Sequence, residues 1–349
     1  MHAHPPDAEP TLDTPYAGLT PALVLDALDA VGLRGDGRLL QLNSYENRVF
    51  QVYLEEGGAV VAKFYRPGRW SDEQILEEHR FSADLMAEEI PVVAPLELIG
   101  EHATPLQVHL SGTPPSLATL HADAGTHRFA ATPWRSGGAP SLESLEQLER
   151  IGRFIGRMHV VGARRTFVRR LTLNVEEFGR SACRWLCKHA VVPPDALLAW
   201  HGAADQALDI AAEAFDRVKP RTLRLHGDCH LGNLLWSRDG PHFVDLDDAL
   251  NGPAIQDLWM LMPAHAPDAA MQVGALLRGY ETFTEFDDRE MALVEPLRTL
   301  RLIHHSAWIA KRWADPAFPI AFPWFAGSAY WQQQTQVLRE QIKAMQPAD

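Results

Sequence analysis

The stretch from Leu225 to Asp248 constrains the fold of this chain more than any other. It reads LHGDCHLGNLLW and then, after a short polar turn, FVDLDD. An acid, Asp228, and an amide, Asn233, stand five residues apart in a glycine-containing loop, and a second acid, Asp245, closes an apolar β-like run one hairpin later. Three hard-oxygen side chains in one strand-flanked loop suit a small divalent cation such as magnesium, which takes one or two carboxylates and keeps several waters.

The rest of the pattern predicts what surrounds that loop. The first residues, 1–19, are polar and proline-rich and predict a disordered tail rather than a secretory signal. Thr20-Pro21 reads as an N-cap followed by a first-turn proline, opening a helix through Leu28. Three β-like runs follow, Leu39 to Leu42, Arg48 to Leu54 and Ala59 to Tyr65, with Glu56-Gly57-Gly58 as the turn of a hairpin. Ser71, with Gln74 in capping-box position, opens a helix whose inner face carries Ile75, Phe81, Leu85 and Met86. Further β-like runs fall near 94–99, 106–110 and 128–131, and the segment 111–127 reads as a loop-like insertion. From Ser141 a 3.6-residue period sets in at Leu145, Leu148, Ile151, Ile155 and Met158. Apart from residues 223–246 the remainder reads as helix. The expected fold class is α+β, two-lobed, with an antiparallel sheet lobe over residues 20–134 and a mainly helical lobe over 135–349.

Bulk properties narrow the possibilities. A formal net charge of −13 opposes polyphosphate backbones and argues against a nucleic-acid binder. No apolar run approaches the roughly 18 residues of a membrane span, so no membrane partner is expected. Three cysteines, Cys183, Cys187 and Cys229, form no disulfide framework and fit a reducing, cytoplasmic compartment. Cys183 and Cys187 lie one helical turn apart, but no second pair completes a four-ligand zinc site, and packing is the simpler reading. Arg164, Arg165, Arg169 and Arg170 form the one basic cluster, either a solvated helix end or a docking patch for an acidic partner.

The D-x-x-x-x-N spacing is that of kinase catalytic loops, where the Asp accepts the proton of the acceptor hydroxyl and the Asn holds a metal ion. On that reading Asp228 is the base, and Asn233 and Asp245 are the magnesium ligands. A transition-metal cluster of His226, Cys229 and His230 and a plain acidic turn are the competing readings. Lys63, inside the apolar run Val60–Phe64, is placed like a kinase phosphate-gripping lysine. Glu77 and Glu78 on the next helix are its candidate partners, and periodicity favours Glu78. No G-x-x-x-x-G-K-S/T occurs, which removes the P-loop class. Asn43–Arg48 stands where a phosphate-covering loop belongs, although spacing alone fits a polar hairpin turn equally well. Asp257, at a helix start, is expected to brace the catalytic loop. The aromatic C-terminal stretch, Trp308 to Trp331, reads as core before substrate wall.

Together NSYENRVF, VAKFYRP, ILEEH, LHGDCHLGN, FVDLDDALNGP and QDLWML resemble the bacterial stress response kinase A family, within the aminoglycoside phosphotransferase-like superfamily. The resemblance runs from about residue 20 to the C-terminus, RWADPAFP included. It implies a usually monomeric, cytoplasmic Ser/Thr protein kinase of the stress response, with ATP as co-substrate and Mg2+ as cofactor. It also implies that Ser44 lies at the ATP site and that Lys63 holds the phosphates. The long tail and the insertion at 111–127 depart from the family pattern. A small-molecule kinase acting on an aminoglycoside, sugar or amino alcohol is the alternative, and a nucleotide-binding pseudokinase a third. Intact Asp228, Asn233 and Asp245 argue against the last.

Overall fold

The structure, a computed structural model, describes residues 15, 16, 18–100, 106–122, 125–262 and 269–346. Packing divides the chain into two units. The first comprises residues up to Asp72, Glu97–Ala131 and Lys311–Pro323; the second comprises Glu73–Leu96, Thr132–Ala310 and Trp324 onward.

The first unit begins with α1 (Pro21–Asp29), where Thr20 Oγ1 accepts from the Leu23 N–H at 3.2 Å and so takes up one of the unpaired first-turn donors. Then come β1 (Gly35–Leu42), β2 (Arg48–Leu54) and β3 (Ala59–Phe64), a meander whose register pairs Val49 with Lys63 and Val52 with Val60. Helix α2 (Asp72–Ala87) follows and lies almost wholly in the second unit. The chain returns through β4 (Gln107–Gly112), β5 (Pro115–Ala122) and β6 (Gly125–Pro133), completing an antiparallel sheet of order β1-β2-β3-β6-β5-β4. Phe64 and Phe129 stack at 5.1 Å across the β3–β6 seam, beside buried Val52, Ala62, Leu117 and Leu120.

Four expectations are corrected here. Residues 111–127 are largely a strand: Leu117, Ala118 and Leu120 are buried in β5, and the Gly-Thr-Pro-Pro punctuation marks only its hairpin turn. Residues 94–99 form no strand; Leu98 N–H instead makes one backbone bond, to Pro115 O at 2.8 Å. Met86 is exposed rather than on the buried face of α2. Residues 1–14 of the expected tail lie outside the described residues, but Tyr16 is anchored: its hydroxyl donates to Glu46 O at 2.7 Å and its ring lies under the Arg48 guanidinium.

The second unit is built on α3 (Leu145–Gly162), capped by Ser144, with Leu148, Ile151, Ile155 and Met158 fully buried as the period required, whereas Leu145, expected on the same face, is exposed in the first turn. A π-helical turn, Glu176–Arg180, runs into α4 (Ser181–Lys188), and α5 (Pro194–Val218) follows. Next come β7 (Leu223–Leu225), β8 (Leu234–Ser237), β9 (Gly240–Phe243) and β10 (Leu250–Gly252). Helix α6 (Ala269–Glu281) packs along α3 so closely that a Cβ on Gly152 would stand 2.1 Å from Leu276 O. Helix α7 (Val294–Lys311) precedes α8 (Ala317–Ala321), which belongs to the first unit, and α9 (Ser328–Met345) ends the chain. Of the C-terminal aromatics, Phe318, Phe325 and Trp331 are buried core, Trp308, Trp313 and Phe322 are half-buried, and Trp324 is exposed, so the stretch is core only in part.

Candidate active site

The loop after β7 is held rigid from behind. Asp257 is fully buried; its Oδ2 accepts from the His226 N–H and its Oδ1 from the Gly227 N–H, each at 2.8 Å. His159 of α3 bonds the same carboxylate at 3.2 Å through Nε2 and meets the Tyr280 hydroxyl at 2.9 Å through Nδ1. Because carboxylate oxygens only accept, Nε2 carries the His159 proton and Nδ1 receives one from Tyr280. The bracing expected of Asp257 is therefore present, with a histidine and a tyrosine behind it that no sequence spacing indicated. Gly227 sits at φ +85°, and a Cβ there would lie 2.1 Å from Asp248 O, so only glycine fits.

At the front of the loop stands Asp228. His230 Nδ1 accepts from the Gly232 N–H at 2.9 Å, so its Nε2 bears the proton and donates to Asp228 Oδ2 at 3.2 Å. Arg301, from α7, places Nη1 2.6 Å from Asp228 Oδ1. Burial alone would push the Asp228 carboxyl up, but the His230 hydrogen bond and the Arg301 charge outweigh it and hold the group well below the usual carboxylate range. Arg301 lies seventy-three residues downstream on a helix with no motif around it, and sequence reasoning missed it.

Asn233 gives its Nδ2 to Asp228 O at 3.0 Å, which leaves Oδ1 as a donor oxygen, and Asn233 O accepts from the Val244 N–H at 3.0 Å. That bond ties the Asp228–Asn233 loop to the residue before Asp245. Asp245 is exposed and left-handed, at φ +59° and ψ +63°, a conformation uncommon outside glycine and found among functional residues. The oxygen-only character of Asn233 and Asp245 fits a hard cation such as Mg2+. His226, by contrast, is buried and points Nε2 at Val244 O at 3.0 Å, and Cys229 is buried; the transition-metal reading of this loop falls.

The other predicted residues lie as follows. Lys63 is half-buried on β3, in register with Val49. Ser44, between β1 and β2, accepts from the Asn47 N–H at 3.3 Å and lines a cavity of about 360 Å3 with Asn43, Tyr45 and Arg48. That loop is pinned by buried Arg66, which reaches Glu46 O at 3.1 Å, Tyr45 O at 3.2 Å and Asp315 Oδ2 at 2.7 Å. The NSYENR, KFYRP and RWADPAF segments are thus one network within the first unit. Glu78 is buried and accepts from Ser82 Oγ at 2.7 Å, whereas Glu77 accepts from the N–H groups of Val168, Arg169 and Arg170 at 2.7–2.8 Å. Three of the four arginines of the basic cluster are paired internally: Arg164 with Glu88, Arg165 with Asp84, and buried Arg170 with the carbonyls of Asp247 and Ala249.

The sequence profile of the phosphotransferase enzyme family, APH, matches residues 38–294, which contain every one of these predicted positions. Stress response kinase A of Escherichia coli strain K12 is 44% identical over 331 residues, 95% of each chain. The chain belongs to this APH phosphotransferase family, on its stress response kinase A branch. A Salmonella typhimurium member, named serine/threonine protein kinase RdoA, is 43% identical over 330 residues, 95% of this chain and 94% of that one. Among solved structures, amicoumacin kinase hAmiN in complex with AMP-PNP, Ca2+ and Ami matches with TM-score 0.68 at 17% identity, over 94% of this chain and 95% of that one. A microcompartment-associated aminopropanol kinase follows at TM-score 0.64 and 16% identity, over 93% and 98%. At those identities the likeness establishes the APH kinase-like fold, with its antiparallel N-terminal sheet and helical C-terminal part. As a member of the family the chain is a phosphotransferase. No helix among the described residues is long and apolar enough to cross a membrane.

Proposed function

We propose that this phosphotransferase is a Ser/Thr protein kinase that moves the γ-phosphoryl group of ATP, in the presence of Mg2+, to a protein hydroxyl. The observation that carries the reading is Asp228, fixed from behind by Asp257 and kept ionised by His230 and Arg301. An ionised carboxylate at this position accepts the hydroxyl proton as the new bond forms, a role that a nucleotide-binding module has no use for. Asn233 and Asp245 would hold Mg2+, whose charge offsets that of the phosphates when it is bound. Lys63 and Ser44 would hold the nucleotide phosphates, and Glu78 would be the carboxylate that pairs with Lys63. The names of relatives more than 40% identical over nearly their full length support a protein acceptor and a stress-response role. A cytoplasmic, monomeric protein accords with that reading.

A small-molecule acceptor is the second reading, because structural neighbours of the fold are named for it: amicoumacin kinase, aminopropanol kinase and spectinomycin phosphotransferase. Many acceptors of that kind are cationic. Arg301 puts a positive charge 2.6 Å from the base, which disfavours them relative to a neutral serine or threonine. The test is transfer of labelled γ-phosphate from ATP with Mg2+, run on wild type and Asp228→Asn, with protein acceptors beside aminoglycosides and amino alcohols. Label on protein serine or threonine, lost in the variant while nucleotide binding persists, is the expected result. Label confined to small molecules would overturn the protein-kinase assignment, and undiminished transfer by Asp228→Asn would overturn the base.

A further inference from the structure

Helices α4 and α5 bring together three side chains that the phosphotransfer site does not use. Cys183 and Cys187 lie four residues apart on α4 and therefore on one face. His201 comes from α5. The two sulfurs and an imidazole nitrogen all lie within 4.8 Å of one another. Cys183 is buried, Cys187 half-buried and His201 exposed, so the group opens to solvent on its histidine side. Both cysteines are free thiols, and His201 makes no hydrogen bond or ion pair among the described residues. Asp205, one turn beyond His201, is near enough to act on Cys183, while Arg180 and Arg184 are the cations in the vicinity.

Two other roles for the pair are weak. Burial pushes Cys183 up to about 12, with Cys187 beside it adding to the rise, and burial pushes Cys187 up as well. Thiols so held are protonated at neutral pH and make poor nucleophiles or redox centres. Pure packing accounts for Cys183 but not for a polar imidazole without a protein partner turned toward two sulfurs.

We propose that Cys183, Cys187 and His201 form a binding site for a borderline-soft divalent cation, zinc foremost, that clamps α4 to α5. Two sulfurs and one imidazole are a ligand set that takes zinc and rejects magnesium, so this site is chemically separate from Asn233 and Asp245. Ligand atoms around zinc at ~2.0–2.3 Å stand roughly 3.3–3.8 Å apart, so the group closes by about 1 Å, within the reach of small side-chain rotations. On binding, each thiol releases its proton to solvent as its sulfur–metal bond forms, and no electrons are transferred. Water or Asp205 completes the tetrahedron. Trp200, next to His201, packs edge-on against Trp331 of α9 at 5.2 Å, so the clamp ties α4 to a helix pair already locked in the core.

The test uses the intact chain, reduced and freed of metal by chelator, and titrated with Co2+ as a spectroscopic stand-in for zinc. Thiolate-to-cobalt charge-transfer absorption with tetrahedral visible bands is expected, saturating at one ion per chain and bleached by Zn2+. Cys187→Ser should lose the charge-transfer intensity, and His201→Ala should weaken Zn2+ binding by about tenfold or more in competition with a chromophoric chelator. Zn2+ should raise the melting temperature of the wild type and not that of His201→Ala. Both variants should keep the metal-free melting temperature and the ATP–Mg2+ phosphotransfer rate of the wild type, which separates this site from the catalytic one. A folded wild type without charge-transfer absorption, or an affinity that His201→Ala leaves unchanged, overturns the proposal.

Discussion

Arg301→Ala is the substitution that best separates what the site does from how it is held. In the wild type the guanidinium stands 2.6 Å from Asp228 Oδ1, with 47% of the Arg301 side chain and 22% of the Asp228 side chain exposed. For charges about 4 Å apart the attraction is ~1 kcal/mol in bulk water and ~4 kcal/mol at an effective dielectric of 20. A half-exposed arginine sits toward the watery end, so ~1–2 kcal/mol is a reasonable span, or about one unit of Asp228 pKa at ~1.4 kcal/mol per unit. Asp228 starts well below the usual carboxylate range, and one unit leaves it ionised at neutral pH. Folding stability should fall by the same ~1–2 kcal/mol, at or slightly above the upper end for solvent-touching ion pairs.

The effect should therefore appear in acceptor choice. Removing one positive charge beside the base lifts a penalty of ~1–2 kcal/mol on a cationic acceptor, a gain of about 5–30-fold in kcat/KM, and leaves a neutral acceptor nearly unchanged. The assay is kcat/KM for matched peptides with basic or neutral residues flanking the serine, and for an aminoglycoside, at low and high salt. The gain should shrink in high salt, because Arg301 is exposed enough to be screened. An unchanged basic-to-neutral ratio, or equal losses for every acceptor, would show that Arg301 only positions Asp228 and would refute the electrostatic argument.

Asp257→Ala strands the His226 and Gly227 N–H groups and the His159 Nε2–H in a dry interior; at ~1–3 kcal/mol per buried orphan donor the loss should be about 3–9 kcal/mol in urea unfolding, and less than ~1 kcal/mol would contradict the brace. Asp245→Asn keeps a residue that tolerates the left-handed backbone and removes only the charge; Mg2+-dependent nucleotide binding should weaken while the melting temperature holds, and an unaltered Mg2+ titration would remove Asp245 from the ligand set. Glu290 is buried against the Ile255 N–H, and burial pushes its carboxyl up to about 7. Its folded value exceeds the ordinary 4.5, so the native state holds a proton that the unfolded chain has lost, and stability falls as pH rises from there toward 7. Glu290→Gln should remove that slope, gaining up to roughly 3 kcal/mol on the wild type between about pH 5 and about pH 8; parallel pH profiles of unfolding free energy would rule it out.

What the sequence disclosed follows from how local each signal is. Strands β2 and β3 and helix α3 were legible because their apolar periods run uninterrupted between clear turn or cap residues. Strand β5 was not, because Thr113-Pro114-Pro115 and Gly125 bracket it so tightly that turn punctuation outweighed the pattern of Leu117, Ala118 and Leu120. The candidate catalytic loop was legible for the same reason as α3: Asp228, Asn233 and Asp245 are close in sequence, at the spacing that the proposed chemistry needs. Asp257 was read as an acid at a helix start; it instead ends the short 3-10 turn Ala254–Asp257, and the structure supplies what that position faces.

Glu77, Glu78 and Arg301 mark where local reading fails. Periodicity turned Glu78 inward, and it is buried, but periodicity could not say that Glu77 would gather the N–H groups of Val168, Arg169 and Arg170 ninety residues away. Arg301 carries no motif at all, because a long, flexible cation reaches its partner from many helix positions and leaves no fixed spacing behind. The residues that set chemistry on this fold are thus written locally, while those that set charge around them arrive from distant helices. Acceptor preference is therefore to be sought in the second set, and Arg301, 2.6 Å from Asp228, is the position at which the peptide assay tests it.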